Sequence, residues 1–177
     1  MEKSTLLKAL VNIAVIKWGE FTLRSGEISP IYIDCRAIIS YPQLLRAVGT
    51  ALWDNVKQLK PSLLCGVPYT ALPMATTISL DQNLPMLMCR KETKDYGTKK
   101  QIEGIFKSGQ DCLIVEDVVT TGGSVLQIAE SLRKHDLQVK DIVVLVDRQQ
   151  GGKEALLAAG YQLHSIFTLN ELVLSKK

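Results

Sequence analysis

The sequence predicts an α/β fold in which a mostly parallel central sheet is flanked by helices. Three observations carry this. Short apolar runs such as Leu63–Val67, Leu113–Glu116 and Asp141–Val146 alternate with amphipathic stretches at helical spacing. The alternation implies right-handed strand–helix–strand crossovers and strands buried within the domain. The polar segments fall at the carboxyl ends of those runs, where open parallel sheets bind ligands.

The elements follow in order. Leu6, Leu10, Ile13 and Ala14 recur at helical spacing, so Leu6–Ile16 reads as an amphipathic packing helix. Two β-type runs between Phe21 and Arg36 flank a Ser25-Gly26 turn and read as a hairpin. A helix follows from about Pro42 to Leu59, with Leu44, Leu45, Val48, Leu52 and Val56 on one stripe. Strand Leu63–Val67 leads to helix Ala71–Leu80, and strand Pro85–Cys89 to a polar segment, Arg90–Lys107. That segment reads as a long loop with room for a strand at its end. Strand Leu113–Glu116, helix Ser124–His135, strand Asp141–Val146 and helix Lys153–Ala159 come next. Strand Tyr161–Phe167, helix Leu169–Leu174 and a frayed tail, Ser175–Lys177, complete the chain.

Composition narrows the function. A chain of 177 residues, 46% hydrophobic and 22% charged, is expected to form one domain over 1–177 with a full core. The net charge of +3 gives no case for a nucleic-acid partner without a local basic patch. No apolar run approaches the roughly 20 residues of a membrane span, so no membrane partner is expected. Cys35, Cys65, Cys89 and Cys112 are widely spaced and read as reduced, buried thiols of a cytoplasmic protein. His135 and His164 lie far from any cysteine cluster and read as helix-end or strand residues rather than ligands.

The richest stretch is Leu113 to Val125. An apolar run ends in Glu116-Asp117, and Thr120-Thr121-Gly122-Gly123-Ser124 then opens a helix. A loop of small residues at a helix N-terminus offers backbone N–H groups and the positive end of the dipole, which suits a phosphate. The hydroxyls of Thr120, Thr121 and Ser124 add donors. The acids are placed to bind vicinal hydroxyls or a metal beside that phosphate. A phosphate next to a diol is a ribose 5-phosphate. Neither Gly-x-x-x-x-Gly-Lys-Ser/Thr nor Gly-x-Gly-x-x-Gly occurs.

Four further stretches occupy strand ends or the hairpin. Arg90 to Lys100 holds five bases and two acids without apolar periodicity. It fits a solvated surface loop, and equally a lid whose cations neutralise a pyrophosphate leaving group. Phe21-Thr22-Leu23-Arg24-Ser25-Gly26 with Ser29-Pro30-Ile31-Tyr32 fits a surface hairpin taken alone. Cys65 to Pro73 joins a strand to a helix through Gly66-Val67-Pro68-Tyr69-Thr70-Ala71. Val146 to Gly152 places Asp147-Arg148-Gln149 at a strand tip, and Arg148 offers a bidentate fork for a carboxylate.

Leu113–Val125 resembles the ribose-phosphate signature of the type I phosphoribosyltransferases. Arg-Lys-Glu-x-Lys-Asp-x-Gly, here Arg90–Gly97, resembles the catalytic loop of the orotate phosphoribosyltransferases. The other three stretches are similar to that family's hood segment, pyrophosphate loop and orotate-carboxylate site, and the likeness runs from about Trp18 to Leu172.

The resemblance implies the type I phosphoribosyltransferase fold, with a small hood over about 1–40, a core over about 41–177 and a mobile catalytic loop over about 90–104. It implies transfer of 5-phosphoribosyl from phosphoribosyl diphosphate to orotate, giving orotidine 5-phosphate and pyrophosphate, with Mg2+, as a step of pyrimidine biosynthesis. By that likeness Lys94, Glu116 and Asp117 are the catalytic candidates. Phosphoribosyl diphosphate falls to Tyr69, Thr70, Ala71, Arg90, Lys91, Lys94, Glu116, Asp117, Thr120, Thr121, Gly122, Gly123 and Ser124. Orotate falls to Arg24, Tyr32, Ile33, Thr120 and Arg148. Magnesium has no direct protein ligand and is held through substrate and water near Glu116 and Asp117. A homodimer whose loops close over the neighbouring subunit's sites is implied as well. Family members often hold a non-proline cis peptide at the bond equivalent to Pro68–Tyr69.

Two departures stand out. Arg24 replaces the usual Lys, a planar fork for a point donor. Tyr96 replaces the His of many single-function members and looks more like the transferase half of bifunctional uridine monophosphate synthase. A single-function enzyme and one half of a fusion both remain open. So do a purine-type transferase, separable by base specificity, and a nucleotide-sensing regulator, separable by nucleic-acid binding in low salt.

Overall fold

The computed structural model describes residues 1–22, 26, 28–90 and 101–174. Its centre is a six-stranded sheet in the order β5-β4-β3-β6-β7-β8. The strands are β3 (Leu63–Gly66), β4 (Met86–Cys89), β5 (Ile102–Glu103), β6 (Cys112–Val119), β7 (Asp141–Asp147) and β8 (Gln162–Thr168). All neighbours are parallel except β4 and β5. Strand order reverses at β3 and β6, and the chain places its phosphate-type loops there. The fold class is the one read from the sequence.

A separate two-stranded antiparallel sheet, β1 (Ile16–Thr22) and β2 (Ile28–Ile33), stands beside the main sheet. The hairpin is longer than expected. Helix α1 spans Lys3–Asn12, not Leu6–Ile16, because Ala14 takes a left-handed φ of 55° and turns the chain. Val15 and Ile16 are then buried, and Ile16 opens β1 instead of continuing the helical stripe. A short 3-10 helix, Cys35–Ser40, follows the hairpin. No periodic pattern marks it in the sequence; Asp34 starts it by accepting from Arg36 N.

Helices α2 (Pro42–Val56), α3 (Ala71–Gln82), α4 (Gly123–Arg133), α5 (Gly152–Ala158) and α6 (Leu169–Leu174) cover the sheet. Two buried clusters lie on its two faces. One joins α1, the hairpin, α2 and α3 through Leu6, Leu10, Ile31, Leu52, Met74 and Phe167. The other joins α4, α5 and the opposite sheet face through Val125, Leu132, Ile142, Leu156 and Tyr161. The hairpin therefore shares its core with the sheet. Gly66 makes close helix packing possible, since a Cβ there would lie 3.0 Å from both Ala71 O and Leu72 Cα.

All four cysteines are buried and free. Cys65 and Cys89 stand with sulfurs 3.7 Å apart, and their shared hydrogen bond together with burial pushes the Cys65 thiol well up. His135 lies just past α4 and contacts Ser131 O, and His164 on β8 meets Asp141. Among the described residues no helix is long and apolar enough to cross a membrane.

Candidate active site

The largest correction to the sequence reading concerns β6. The expected strand stopped at Glu116, leaving two acids at its tip. In the structure β6 runs on to Val119, and Val118 and Val119 pair with Val146 and Asp147. A strand that keeps its ladder partners can carry acids inside it. Glu116 is 5% exposed, and its Oε1 accepts from Asp117 N at 2.9 Å. Helix α4 is likewise shorter than expected, ending at Arg133 rather than His135.

The β6–α4 loop follows directly. Gly122 has φ 82°, a left-handed conformation that suits glycine, and α4 begins at Gly123 without a side-chain cap. The first N–H groups of a helix have no intrahelical partner. Here the earliest bond is Leu126 N to Gly122 O, at 2.9 Å. Thr121, Gly123 and Ser124 are exposed, and a Cβ on Gly123 would meet only Thr121 Oγ1, at 4.0 Å. From below the loop is fixed by close packing. A Cβ on Gly152 would lie 2.5 Å from Val119 Cγ1 and 2.6 Å from Thr120 O. The sequence reading gave Gly152 no role.

Arg148 is placed by the neighbouring strand. Its N–H donates to Val119 O at 2.9 Å, which sets it beside Thr120. Asp147 accepts from Gln149 N at 2.8 Å, and Gln149 takes a left-handed φ of 56°, so the chain turns immediately after Arg148. Arg148 is 5% exposed, and burial pushes its pKa down from its usual value. It keeps its charge, as arginine does in proteins. Its Nε is buried without a hydrogen-bond partner, and so is Gln150 Oε1.

Loop, strand and hairpin enclose one cleft of about 910 Å³. Its walls include Thr22, Tyr32 and Ile33 from the hairpin, Glu116 and Thr120–Ser124 from β6 and its loop, and Arg148 and Gln150 beyond β7. Sequence reasoning named Tyr32, Ile33, Glu116, Thr120–Ser124 and Arg148, and missed Thr22, Val118, Val119, Val125, Gln127 and Gln150, which also line the cleft. Gln150 lies inside the Val146–Gly152 stretch, but nothing in its type or spacing marks a wall residue. Tyr32 stacks at a tilt on Phe21, ring centres 5.5 Å apart.

A second cleft of about 480 Å³ meets the first at Ser124 and Gln127. Val67, Pro68 and Arg90 line it. The Pro68–Tyr69 peptide is cis. Thr70 precedes α3, whose N-terminus also lacks a side-chain cap, Tyr69 is 71% exposed and Ala71 is fully buried. Arg90 bonds Glu103 through its guanidinium and Gln101 O through its N–H, which ties the end of β4 to β5. Arg24, Lys91 and Lys94 lie outside the described residues.

Asp117 sits on the hairpin side. Burial, then the charges of Asp117, Asp34 and Glu116, push the Cys35 thiol well above its ordinary value. Asp34 is neutralised locally: a two-pronged bond from Arg36 (2.7 and 3.0 Å) and a contact from Lys17 (3.2 Å) hold its carboxyl down at about 2. Among the described residues no cluster of three or more His, Cys, Asp or Glu forms a metal cage. Glu116 lines the cleft and Asp117 follows it on β6, so a magnesium ion there would have to keep its waters and take its remaining ligands from a substrate.

The comparisons agree with this geometry. Residues 36–157 match the family described as phosphoribosyl transferase domain. The chain is 48% identical to uridine 5'-monophosphate synthase of Bos taurus over 171 residues, 96% of this chain and 36% of that protein. It is 44% identical to orotate phosphoribosyltransferase of Chlamydia caviae over 166 residues, 93% of this chain and 81% of that protein. It thus spans about a third of the bovine relative and most of the chlamydial one. The crystal structure of orotate phosphoribosyltransferase from Aeropyrum pernix superposes with a TM-score of 0.86 at 29% identity, covering 97% of this chain and 98% of that one. With a family match over most of its length and a relative of this identity and coverage, the chain belongs to the orotate phosphoribosyltransferase family of type I phosphoribosyltransferases.

Proposed function

We propose that the chain transfers 5-phosphoribosyl from phosphoribosyl diphosphate to orotate N1, releasing pyrophosphate and forming orotidine 5-phosphate. The observation that carries this is one cleft in which an uncapped helix N-terminus and a buried, acid-free guanidinium share a wall. The first suits a phosphate and the second a carboxylate.

The N–H groups at the start of α4, with the Thr121 and Ser124 hydroxyls, hold the 5-phosphate. Glu116 and Asp117 hold the ribose hydroxyls, and their charge favours the positive character that develops on the ribose ring. Arg148, Tyr32, Ile33, Arg24 and Thr120 orient the orotate anion, so C1 and N1 meet without a protein nucleophile. Tyr69, Thr70 and Ala71 present backbone N–H groups to the diphosphate, and Arg90, Lys91 and Lys94 meet its departing charge. Magnesium would supply further neutralisation of that diphosphate, held through substrate and water near Glu116 and Asp117.

We place the enzyme in the cytoplasm, where its four free thiols stay reduced, and as a homodimer. The homodimer follows from the likeness to the family, in which loops close over the neighbouring subunit's sites.

The test is to incubate the protein with phosphoribosyl diphosphate, magnesium and each candidate base, following orotate absorbance. Orotate is consumed, adenine is not, and excess chelator stops turnover; the opposite pattern overturns the assignment. The shared site has its own test. Lys94→Ala and Asp117→Asn proteins, each inactive, are mixed under subunit exchange. Half of the dimers are then mixed with one complete site each, so activity recovers to about a quarter of wild type. A loop serving its own subunit gives no recovery.

A further inference from the structure

We propose that Ser29 is a positioning residue that fixes the Arg148 guanidinium for the orotate carboxylate. The inference rests on Arg148 as the carboxylate ligand and names what sets its geometry.

Ser29 lies on β2 and is 6% exposed. Its hydroxyl donates to Ile31 O at 2.8 Å. A hydroxyl has one proton, so its lone pairs are left to accept. They accept from Ile31 N at 3.3 Å and from Arg148 Nη2 at 3.2 Å. The same Nη2 reaches Ile31 O at 3.5 Å. Every role of this hydroxyl is therefore assigned, and its acceptor side faces the guanidinium. Arg148 lies 119 positions further along the chain, so the bond ties the hairpin to the end of β7. Tyr32 and Ile33, three and four residues beyond Ser29, line the cleft. One contact thus sets both the arginine and the hairpin wall opposite it.

The anchors are also of the right kind. A hydroxyl and a carbonyl fix the direction of a guanidinium without cancelling its charge. No carboxylate pairs with Arg148 among the described residues, although Arg36, Arg90 and Arg46 each meet an acid. A held, uncompensated cation at a cleft wall is prepared for an anionic ligand.

The test uses Ser29→Ala, Ser29→Cys, Arg148→Ala and the Ser29→Ala/Arg148→Ala double variant. Cysteine keeps the volume while its sulfur accepts weakly, so it serves if alanine impairs folding. Two readouts are taken: KM for each substrate, and the dissociation constant of orotidine 5-phosphate by calorimetry, which needs no turnover. Both Ser29 variants raise the KM for orotate and weaken orotidine 5-phosphate by about tenfold, a modest share of a charge-assisted contact. The KM for phosphoribosyl diphosphate stays within about twofold. In the Arg148→Ala background the Ser29 change adds less than about twofold, because residues acting as a unit are non-additive. A further tenfold there, or equal rises for both substrates, overturns the positioning role while the carboxylate reading stands. An Arg148→Ala protein with wild-type affinity for orotate and orotidine 5-phosphate overturns the carboxylate reading itself.

Discussion

The two sides of the cleft are built from different material. The side proposed for the ribose phosphate is backbone: a glycine turn at Gly122 and the bare N-terminus of α4, seated on Gly152. The side proposed for the base is side chain: Arg148 held by Ser29, faced by Tyr32 and Ile33 of a two-stranded sheet. A backbone cradle spreads its binding over several donors and is sensitive to packing beneath it. A side-chain site concentrates binding in one group and is sensitive to its loss. Substitutions on the two sides should therefore fail differently.

The largest effect is expected at Arg148. Arg148→Ala leaves the carboxylate without its two-pronged partner, at a cost of about 2–3 kcal/mol. The KM for orotate should rise by roughly 30- to 150-fold at 1.4 kcal/mol per tenfold, with that for phosphoribosyl diphosphate nearly unchanged. Steady-state kinetics with each substrate varied in turn checks it. Equal weakening of both would erase the division between the sides.

Next comes Gly152→Ala. Its new methyl meets Val119 and Thr120 well inside contact distance. Overpacking of this kind costs about 1–3 kcal/mol of stability, read by denaturant unfolding. The same shift moves the loop above it, so the KM for phosphoribosyl diphosphate should rise more than that for orotate. A stable variant with normal kinetics would show that the cradle does not depend on its floor.

Thr121→Val and Ser124→Ala are milder, since each removes one hydroxyl and leaves the backbone donors. About 1 kcal/mol per hydroxyl gives roughly a fivefold rise in the KM for phosphoribosyl diphosphate. A change confined to orotate would move these residues to the other side.

The smallest effect concerns the hairpin base. Asp34 has its carboxyl lowered to about 2 by Arg36 and Lys17. A lowered carboxylate stabilises the fold above its unfolded value near 4, and that contribution is lost as pH falls through about 2. Its partners are largely exposed, so the gain is about 1 kcal/mol or less. Asp34→Asn should be slightly less stable than wild type at pH 7, with the gap closing by pH 2. A gap that persists at pH 2 would assign the stabilisation to packing instead.

The same division explains what was legible in the sequence. The backbone side is written locally: Thr120-Thr121-Gly122-Gly123-Ser124 between a strand and a helix is a short-range pattern, and the alternation around it yields the sheet. The extent of β6 is not legible locally because acids commonly end an apolar run, whereas here the pairing of Val118 and Val119 with β7 carries the strand past them. The end of α1 is not legible either, because Ile13 and Ala14 continue its stripe, and only the left-handed Ala14 stops it. The base side is written at long range. Nothing near Ser29 in the chain signals a bond to a residue 119 positions away. Gly152 likewise earns its place from a loop some 30 positions earlier, where Val119 and Thr120 leave no room for a methyl group.

The central claim is that the two sides act independently, one through backbone and one through a single guanidinium. It is tested most directly by measuring both KM values for the Arg148→Ala/Thr121→Val double variant beside its parents. The account predicts additivity: the orotate KM of Arg148→Ala and the phosphoribosyl diphosphate KM of Thr121→Val, each reproduced within about twofold, as for sites that share no partner. A double variant whose two KM values both depart from the parents' by about tenfold or more would contradict it.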